Sequence, residues 1–140
     1  MGAFVDAERA AADWINSLTG SLVGVGNPLA KGAFLHEMRG AASACYALLS
    51  VIGGSPTISP ENPDHRARIS ASIYGTTKEA ATTAALAYAN ALLTLDGRPQ
   101  PMTGAVCLVV DPDSISGPLW SPDRGGPRLI VDADFYFQAA

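Results

Sequence analysis

The chain has 140 residues, of which 48% are hydrophobic and 16% are charged, and its formal net charge is −4 at pH 7. This length suffices for one domain and is short for two, and the apolar content excludes a disordered segment. With nine Lys plus Arg residues and no basic run, the chain lacks the dense positive footprint of a general nucleic-acid binder. We therefore expect a single domain over residues 1–140, whose lightly charged surface suits contacts with protein partners, including copies of itself.

The N-terminal sequence predicts neither secretion nor membrane attachment. It lacks the basic start and the long apolar stretch of a signal peptide, and Asp6 stands where a myristoylation signal has Ser or Thr. No apolar run approaches the roughly 20 residues that span a bilayer. We expect a protein that is made in the cytoplasm without a membrane partner, with Cys45 and Cys107 as reduced core residues.

The first predicted element is a helix from about Val5 to Leu18, capped by Asp6. Its buried stripe is predicted from apolar residues at helical spacing, namely Ala11, Trp14, Ile15, Leu18 and Leu22. The glycine-rich stretch that follows, "TGSLVGVGNPLAKG" at residues 19–32, predicts a loop.

Residues 33–52 allow two interpretations. Their apolar side chains fit a helical stripe, but Gly40 interrupts it and the segment ends in a pair of glycines. We favour two strands, Ala33 to Met38 and Ala44 to Ile52, and leave a partly helical segment as the alternative. The proline-rich stretch "SPTISPENPD" then predicts a loop.

The stretch from Arg66 to Leu93 predicts a strand, a turn and a helix. Apolar and polar residues alternate up to Tyr74, as in a strand with one buried face. Thr76 and Glu79 have the spacing of a capping box, and Gly97 follows the helix. The buried helix face is predicted from residues at helical spacing, namely Ala81, Ala85, Tyr88, Leu92 and Leu95, flanked by Ala84, Leu86, Ala89 and Leu93.

The C-terminal part predicts two neighbouring strands. The apolar run "AVCLVVD" is typical of a central strand, and "PDSISGPLWSPDRGGP" predicts a long turn-rich connection. In the final "RLIVDADFYF", the side chains predicted to face the core are Leu129, Val131, Ala133, Phe135 and Phe137. The order α-β-β-β-α-β-β predicts a small α+β domain with two helices packed on a mixed, largely antiparallel sheet.

Familiar catalytic and metal-binding motifs are incomplete in this chain. His36 and Glu37 resemble the start of a zinc protease motif, but Gly40 replaces its second histidine. His65 lies in a proline-rich stretch without ligands at suitable spacing and is predicted to be a solvated loop residue. "GVGNPL" lacks the third glycine of a dinucleotide fingerprint, and "DPDSIS" predicts turn chemistry rather than a calcium loop. We expect no catalytic residue, no metal and no cofactor.

Asp132 and Asp134 are the acids that hold most interest, because residues two apart on a strand project from one face. An exposed strand face is the favoured interpretation. A glycosidase-type acid pair remains an alternative, although no second polar cluster supports it. In a ring-shaped assembly, the same face would line a negatively charged opening.

The order of parts resembles one family. The run "ARISASIYGTTKEAATTAALAYANAL", the strand "AVCLVV", a long hairpin connection and the terminal "RLIVDADFYF" look like the tail terminator (tail completion) proteins of long-tailed bacteriophages, or siphophages, particularly those infecting actinobacteria. The resemblance covers Arg66 to Phe137, about half of the chain. It rests on the order of elements rather than on a chemical signature.

The resemblance implies a tail-terminator-like α+β protein that forms a hexameric ring in the neck of the virion, after assembly in the host cytoplasm. The ring would cap the tail tube protein, stop its polymerisation and present a surface to the head-tail connector protein. DNA would pass through the channel without specific binding, which suits an acidic protein. Asp132 and Asp134 are then channel-lining candidates, and Leu119 and Trp120 are candidate interface anchors.

Other interpretations stay open at this stage. Packing of Trp120 over the protein's own core competes equally with an interface role. The chain could be another neck or head-tail connector protein. It could also be a small ligand-binding domain or an enzyme that uses Asp132 and Asp134.

Overall fold

The structure is a computed structural model that describes residues 5–17, 25–26, 46–56, 65–96, 98–124 and 126–139. In chain order the helices and strands are α1 (Ala7–Ser17), β1 (Val25–Gly26), β2 (Tyr46–Pro56), β3 (His65–Tyr74), α2 (Lys78–Leu93), β4 (Gln100–Met102), β5 (Ala105–Val110), β6 (Ser116–Trp120) and β7 (Arg128–Ala139), with a short 3₁₀ helix at Pro112–Ser114 before β6.

The strands form one sheet in the order β1-β2-β3-β7-β5-β4, and β6 pairs with β7 next to the end of β5. Among the described strands, the short β1 and β2 run parallel and all other pairs are antiparallel. Two helices on a largely antiparallel sheet make a small α+β fold, as the sequence predicted. The predicted neighbours β5 and β7 are indeed paired.

A single cluster of buried side chains joins both helices to alternate residues of β3 and β7. The predicted core row of β7 is confirmed, because Leu129, Val131, Ala133, Phe135 and Phe137 are all buried. The rings of Phe135 and Phe137 stack with centroids 5.7 Å apart. The predicted face of α2 is buried too, whereas Leu86 and Leu93 on its flank are half-exposed.

Helix α1 begins where the sequence predicted. The carboxylate of Asp6 accepts a hydrogen bond of 3.1 Å from the backbone N–H of Arg9, which satisfies a donor in the first helical turn. Trp14 and Ile15 of the predicted stripe are buried, while Leu18 and Leu22 lie outside the described residues.

The predicted strand from Ala44 to Ile52 corresponds to β2, which continues to Pro56. The other predicted strand, Ala33 to Met38, lies outside the described residues, as do His36, Glu37 and Cys45. The loop prediction for residues 19–32 was wrong at Val25–Gly26, where the backbone pairs with β2.

The capping prediction for α2 was displaced by one residue. Thr77 is the N-cap, and its hydroxyl accepts a hydrogen bond of 3.1 Å from the backbone N–H of Ala80. Because Thr77 has the extended backbone of a cap and Lys78 begins the helix, Thr76 and Glu79 do not form the predicted reciprocal box.

Two stretches predicted as loops contribute strand residues. His65 begins β3 opposite Phe137 and is half-buried, so the prediction of a solvated loop histidine was wrong. The connection between β5 and β7 contains β6, which the prolines of that stretch concealed. Pro118 lacks an N–H, but an edge strand tolerates it where the ladder with β7 shifts register between Ser116 and Leu119.

Candidate functional site

Asp132 and Asp134 lie on the face of β7 that is turned away from the buried row. We call this surface the polar face and define it by Arg66, Arg68, Ser70 and Ser72 of β3 with Ile130, Asp132, Asp134 and Tyr136 of β7. The register places Asp132 opposite Ser70 and Asp134 opposite Arg68. The two acids therefore share a face, with Cα atoms about 7 Å apart along the strand.

Asp134 belongs to a compact polar cluster with Arg68 and Ser114. Arg68 Nη1 lies 3.2 Å from Asp134 Oδ1 and donates a second hydrogen bond of 3.3 Å to the carbonyl of Ser114. The Ser114 hydroxyl accepts from the backbone N–H of Asp134 at 2.8 Å and donates to the carbonyl of Asp111 at 2.6 Å. The charge of Asp134 is thus balanced by Arg68, and the cluster holds the 3₁₀ turn against β7.

The turn itself is organised by Asp111. Its carboxylate accepts a hydrogen bond of 3.0 Å from the backbone N–H of Asp113. This is the turn chemistry that the sequence predicted for "DPDSIS".

Asp132 has different surroundings from Asp134. The strand register places it in one row with Ser50, Ser70 and Ser116, so serines occupy the matching positions on the neighbouring strands. Its Oδ1 atom is buried and has no hydrogen-bond partner within the described part of the chain. Asp132 is consequently the acid of this pair whose charge the described residues leave unbalanced.

Leu119 and Trp120 lie on β6, at an edge of the sheet. Leu119 is 62% exposed and Trp120 is 40% exposed. The ammonium group of Lys78, at the start of α2, lies 4.7 Å from the centroid of the Trp120 ring. Trp120 lies outside the buried cluster and keeps part of its surface exposed, which favours the interface alternative over packing within the core.

A network around Arg128 anchors the segment that follows β6. Arg128 donates to the carbonyl of Ser121 at 2.7 Å and pairs with Asp123 at 3.2 Å. The hydroxyl of Tyr74 donates to the same carboxylate at 2.8 Å. Burial and the Asp123 carboxylate both raise the pKa of Tyr74, since each disfavours a phenolate. These contacts attach β6 to the ends of β3 and β7.

A second exposed apolar pair lies on β2, across the sheet from β6. Val51 is 41% exposed and Ile52 is 55% exposed. Glu8 of α1 reaches this strand, where its carboxylate accepts a hydrogen bond of 3.0 Å from the backbone N–H of Val51. The sequence placed Val51 and Ile52 in a strand without predicting their exposure, because an apolar run does not reveal which strands end at an edge.

Arg68 and Ser114 were also missed by sequence reasoning. Alternation along β3 places Arg68 on the polar side, so its position on that face was predictable. Its pairing with Asp134, 66 positions away, depends on strand register, which one sequence does not reveal.

The remaining chemistry-bearing groups of the described residues are scattered. In that part of the chain, there is no group of three or more His, Cys, Asp or Glu side chains that could hold a metal ion. Cys107 is buried and free, and burial raises the pKa of its thiol to about 12. Burial also raises the pKa of Tyr88, with the charge of Asp132 adding to the shift.

Comparison with protein-family models and with curated proteins gives no significant match. Neither α1 nor α2, the helices of the described residues, has the length and apolar character needed to cross a membrane.

Proposed function

We propose that this protein is a structural component of a long-tailed phage that caps the end of the tail tube as a ring, stops tube polymerisation and provides the surface for joining the head. The observation that carries this proposal is the pair Leu119 and Trp120, which the fold presents to solvent on an anchored edge strand. Large apolar side chains held rigidly at a surface are typical of protein interfaces, and Trp is a frequent energetic anchor there.

The polar face supports a channel without affinity for DNA. Along β3 and β7, Arg66 and Arg68 are matched in number by Asp132 and Asp134, so this face has no basic stripe. A ring of subunits with a net charge of −4 each repels phosphate overall, which suits a channel that DNA crosses without being held. Asp132 is the better channel-lining candidate, because Arg68 balances the charge of Asp134.

The contacts of Asp134 and the exposed apolar side chains support subunit assembly, rather than catalysis, as the main role of this protein. Asp134 is engaged by Arg68 and Ser114, both of which contact the 3₁₀ turn or belong to it. Exposed apolar side chains lie elsewhere, four of them at the sheet edges and two on α2, namely Val51, Ile52, Leu119 and Trp120 with Leu86 and Leu93. Six copies, as in the family that the chain resembles, would place these edges between subunits.

The experiment that tests this proposal is native mass spectrometry over a range of concentrations, followed by negative-stain imaging with and without purified tail tubes. We expect a six-subunit ring with an open centre and, in the mixture, tubes capped at one end. Tubes that stay uncapped while the protein binds isolated heads would overturn the capping role in favour of a connector.

A substitution at Trp120 tests whether this exposed side chain contributes to assembly. We expect Trp120→Ala to leave the monomer folded and to reduce assembly, because the side chain is 40% exposed and lies outside the core. Unchanged assembly together with a large loss of stability would contradict an interface role for this residue.

A further inference from the structure

We infer that copies of this chain join head to tail, with the β2 edge of one copy contacting the β6 edge of the next. The inference rests on the proposed self-assembly and specifies its contact surfaces. The occupant of each edge is therefore a second copy of the same chain.

The two edges lie on opposite sides of the sheet. The strands between them are β3 and β7, so β2 and β6 are three strand spacings apart, or about 14 Å. Within the described residues, β1 covers β2 only at Ala47 and Leu48. A molecule with two different contact surfaces on opposite sides forms heterologous contacts, which close into a ring when the rotation per subunit permits.

Each edge carries one pair of exposed apolar side chains. On β2 these are Val51 and Ile52, and on β6 they are Leu119 and Trp120. They are consecutive in both cases, and each pair lies beside a register shift in its ladder. Because both pairs are apolar, burying one against the other removes apolar surface from water.

The backbone of both edges is blocked against simple strand addition. At β2, the carboxylate of Glu8 occupies the backbone N–H of Val51. At β6, Pro118 has no N–H to donate, and the ladder is irregular between Ser116 and Leu119. A partner therefore meets these edges mainly through side chains rather than by extending the sheet.

The charges beside the two apolar pairs have opposite signs. Glu8 lies at Val51, and Lys78 lies over Trp120. Contact between unlike edges brings the carboxylate of one copy towards the ammonium group of the next. Contact between two identical edges brings like charges together, which disfavours a symmetric dimer through either edge.

Site-specific cross-linking tests this arrangement in the full chain. Ile52→Cys and Leu119→Cys are prepared separately, both with Cys45→Ser, and the buried Cys107 is left in place. A short bismaleimide is then added to each variant alone and to their equal mixture. We expect a covalent dimer in the mixture and at least tenfold less in either variant alone. The chain that carries both cysteines should give a ladder of covalent oligomers.

Three outcomes overturn the inference: equal dimer yields from a single variant and from the mixture, no cross-link in the mixture, and a ring in native mass spectrometry without the mixed cross-link. The last outcome leaves the proposed function intact. Conversely, a mixed cross-link with open chains instead of rings supports the inference and contradicts the capping function.

Charge-reversal variants test separately whether Lys78 of one copy lies near Glu8 of the next. Lys78→Glu in the Leu119→Cys chain should lower the mixed dimer yield several-fold, and Glu8→Lys in the Ile52→Cys chain should restore part of it. Lys78→Gln is the matched control, because it removes the charge without reversing it. A yield that is unchanged by Lys78→Glu, with native circular dichroism, contradicts the charge pairing between edges.

Discussion

Asp132 and Asp134 lie two residues apart on one strand, yet their carboxylates have different surroundings. Arg68 and Ser114 engage Asp134, whereas Oδ1 of Asp132 is buried without a partner in the described part of the chain. A carboxylate that is paired and one that is not differ in the electrostatic potential that they create nearby. If the polar face lines a channel, Asp132 adds a negative charge there that Arg68 does not neutralise, while Arg66 adds a positive charge on the same face.

Cys107 supplies a residue-scale prediction about alkaline stability. Burial raises its pKa from 9.0 to about 12, so above pH 9 the unfolded chain releases a proton that the folded chain retains. The free energy of unfolding must then fall as pH rises from about 9 towards 12. Between pH 8 and pH 10, the wild type should lose on the order of 1 kcal/mol more than Cys107→Ala, measured by urea unfolding.

The two tyrosines with raised pKa values and Cys45 are present in both proteins, so their contributions cancel in this comparison. Parallel stability curves for the wild type and Cys107→Ala would show that the folded protein does not hold the thiol in its neutral form.

At the scale of elements, β6 decides where the exposed apolar side chains lie. It pairs with β7 on the same side as β5 does, and the contacts of Arg128 with Ser121 and Asp123 fix the segment that follows it. Gly117 allows the backbone of β6 to follow this path, because its φ of 101° belongs to the region that favours glycine. A Cβ added there would also clash with the backbone carbonyl of Ile130.

Gly117→Ala is therefore predicted to destabilise the protein by about 2 to 4 kcal/mol, through backbone strain and a steric clash that displaces β6. Gly104→Ala is the matched control, since Gly104 also has a positive φ, of 71°, but open space around an added Cβ. This control should lose about 1 kcal/mol. Urea unfolding measures both values, and equal losses would contradict the close approach of β6 to β7.

At the scale of the whole molecule, charge is sparse and its sign is negative. The chain has 9 Lys plus Arg residues against 13 Asp plus Glu residues. On the described strands, the arginines of the polar face are balanced by its aspartates. A protein with this distribution should release few counterions from DNA and bind it weakly.

We predict no binding of a labelled DNA duplex at protein concentrations up to about 10 μM near physiological salt, because even ordinary non-specific binders reach only about 10⁻⁴ to 10⁻⁶ M. Fluorescence anisotropy at two salt concentrations measures this. Micromolar binding that weakens as salt rises would show a basic surface formed on assembly, and would argue against free passage of DNA.

Much of the fold could be predicted from the sequence, because periodicity is a local property of the chain. The period of two in Leu129 to Phe137 and the helical spacing from Ala81 to Leu92 identified side chains that are buried in the structure. Where a local signal was ambiguous, prediction was less accurate: the adjacent threonines 76 and 77 both suit an N-cap, and the structure uses Thr77.

By itself the sequence determined the fold class, the buried faces of α2 and β7 and the shared face of Asp132 and Asp134, since side-chain direction follows from position within one element. Only the tertiary structure decided that Arg68 pairs with Asp134, that β6 adds to the sheet, and that Val51 and Trp120 lie at its edges. These features depend on strand order and register, which arise from contacts between residues that are distant in the chain.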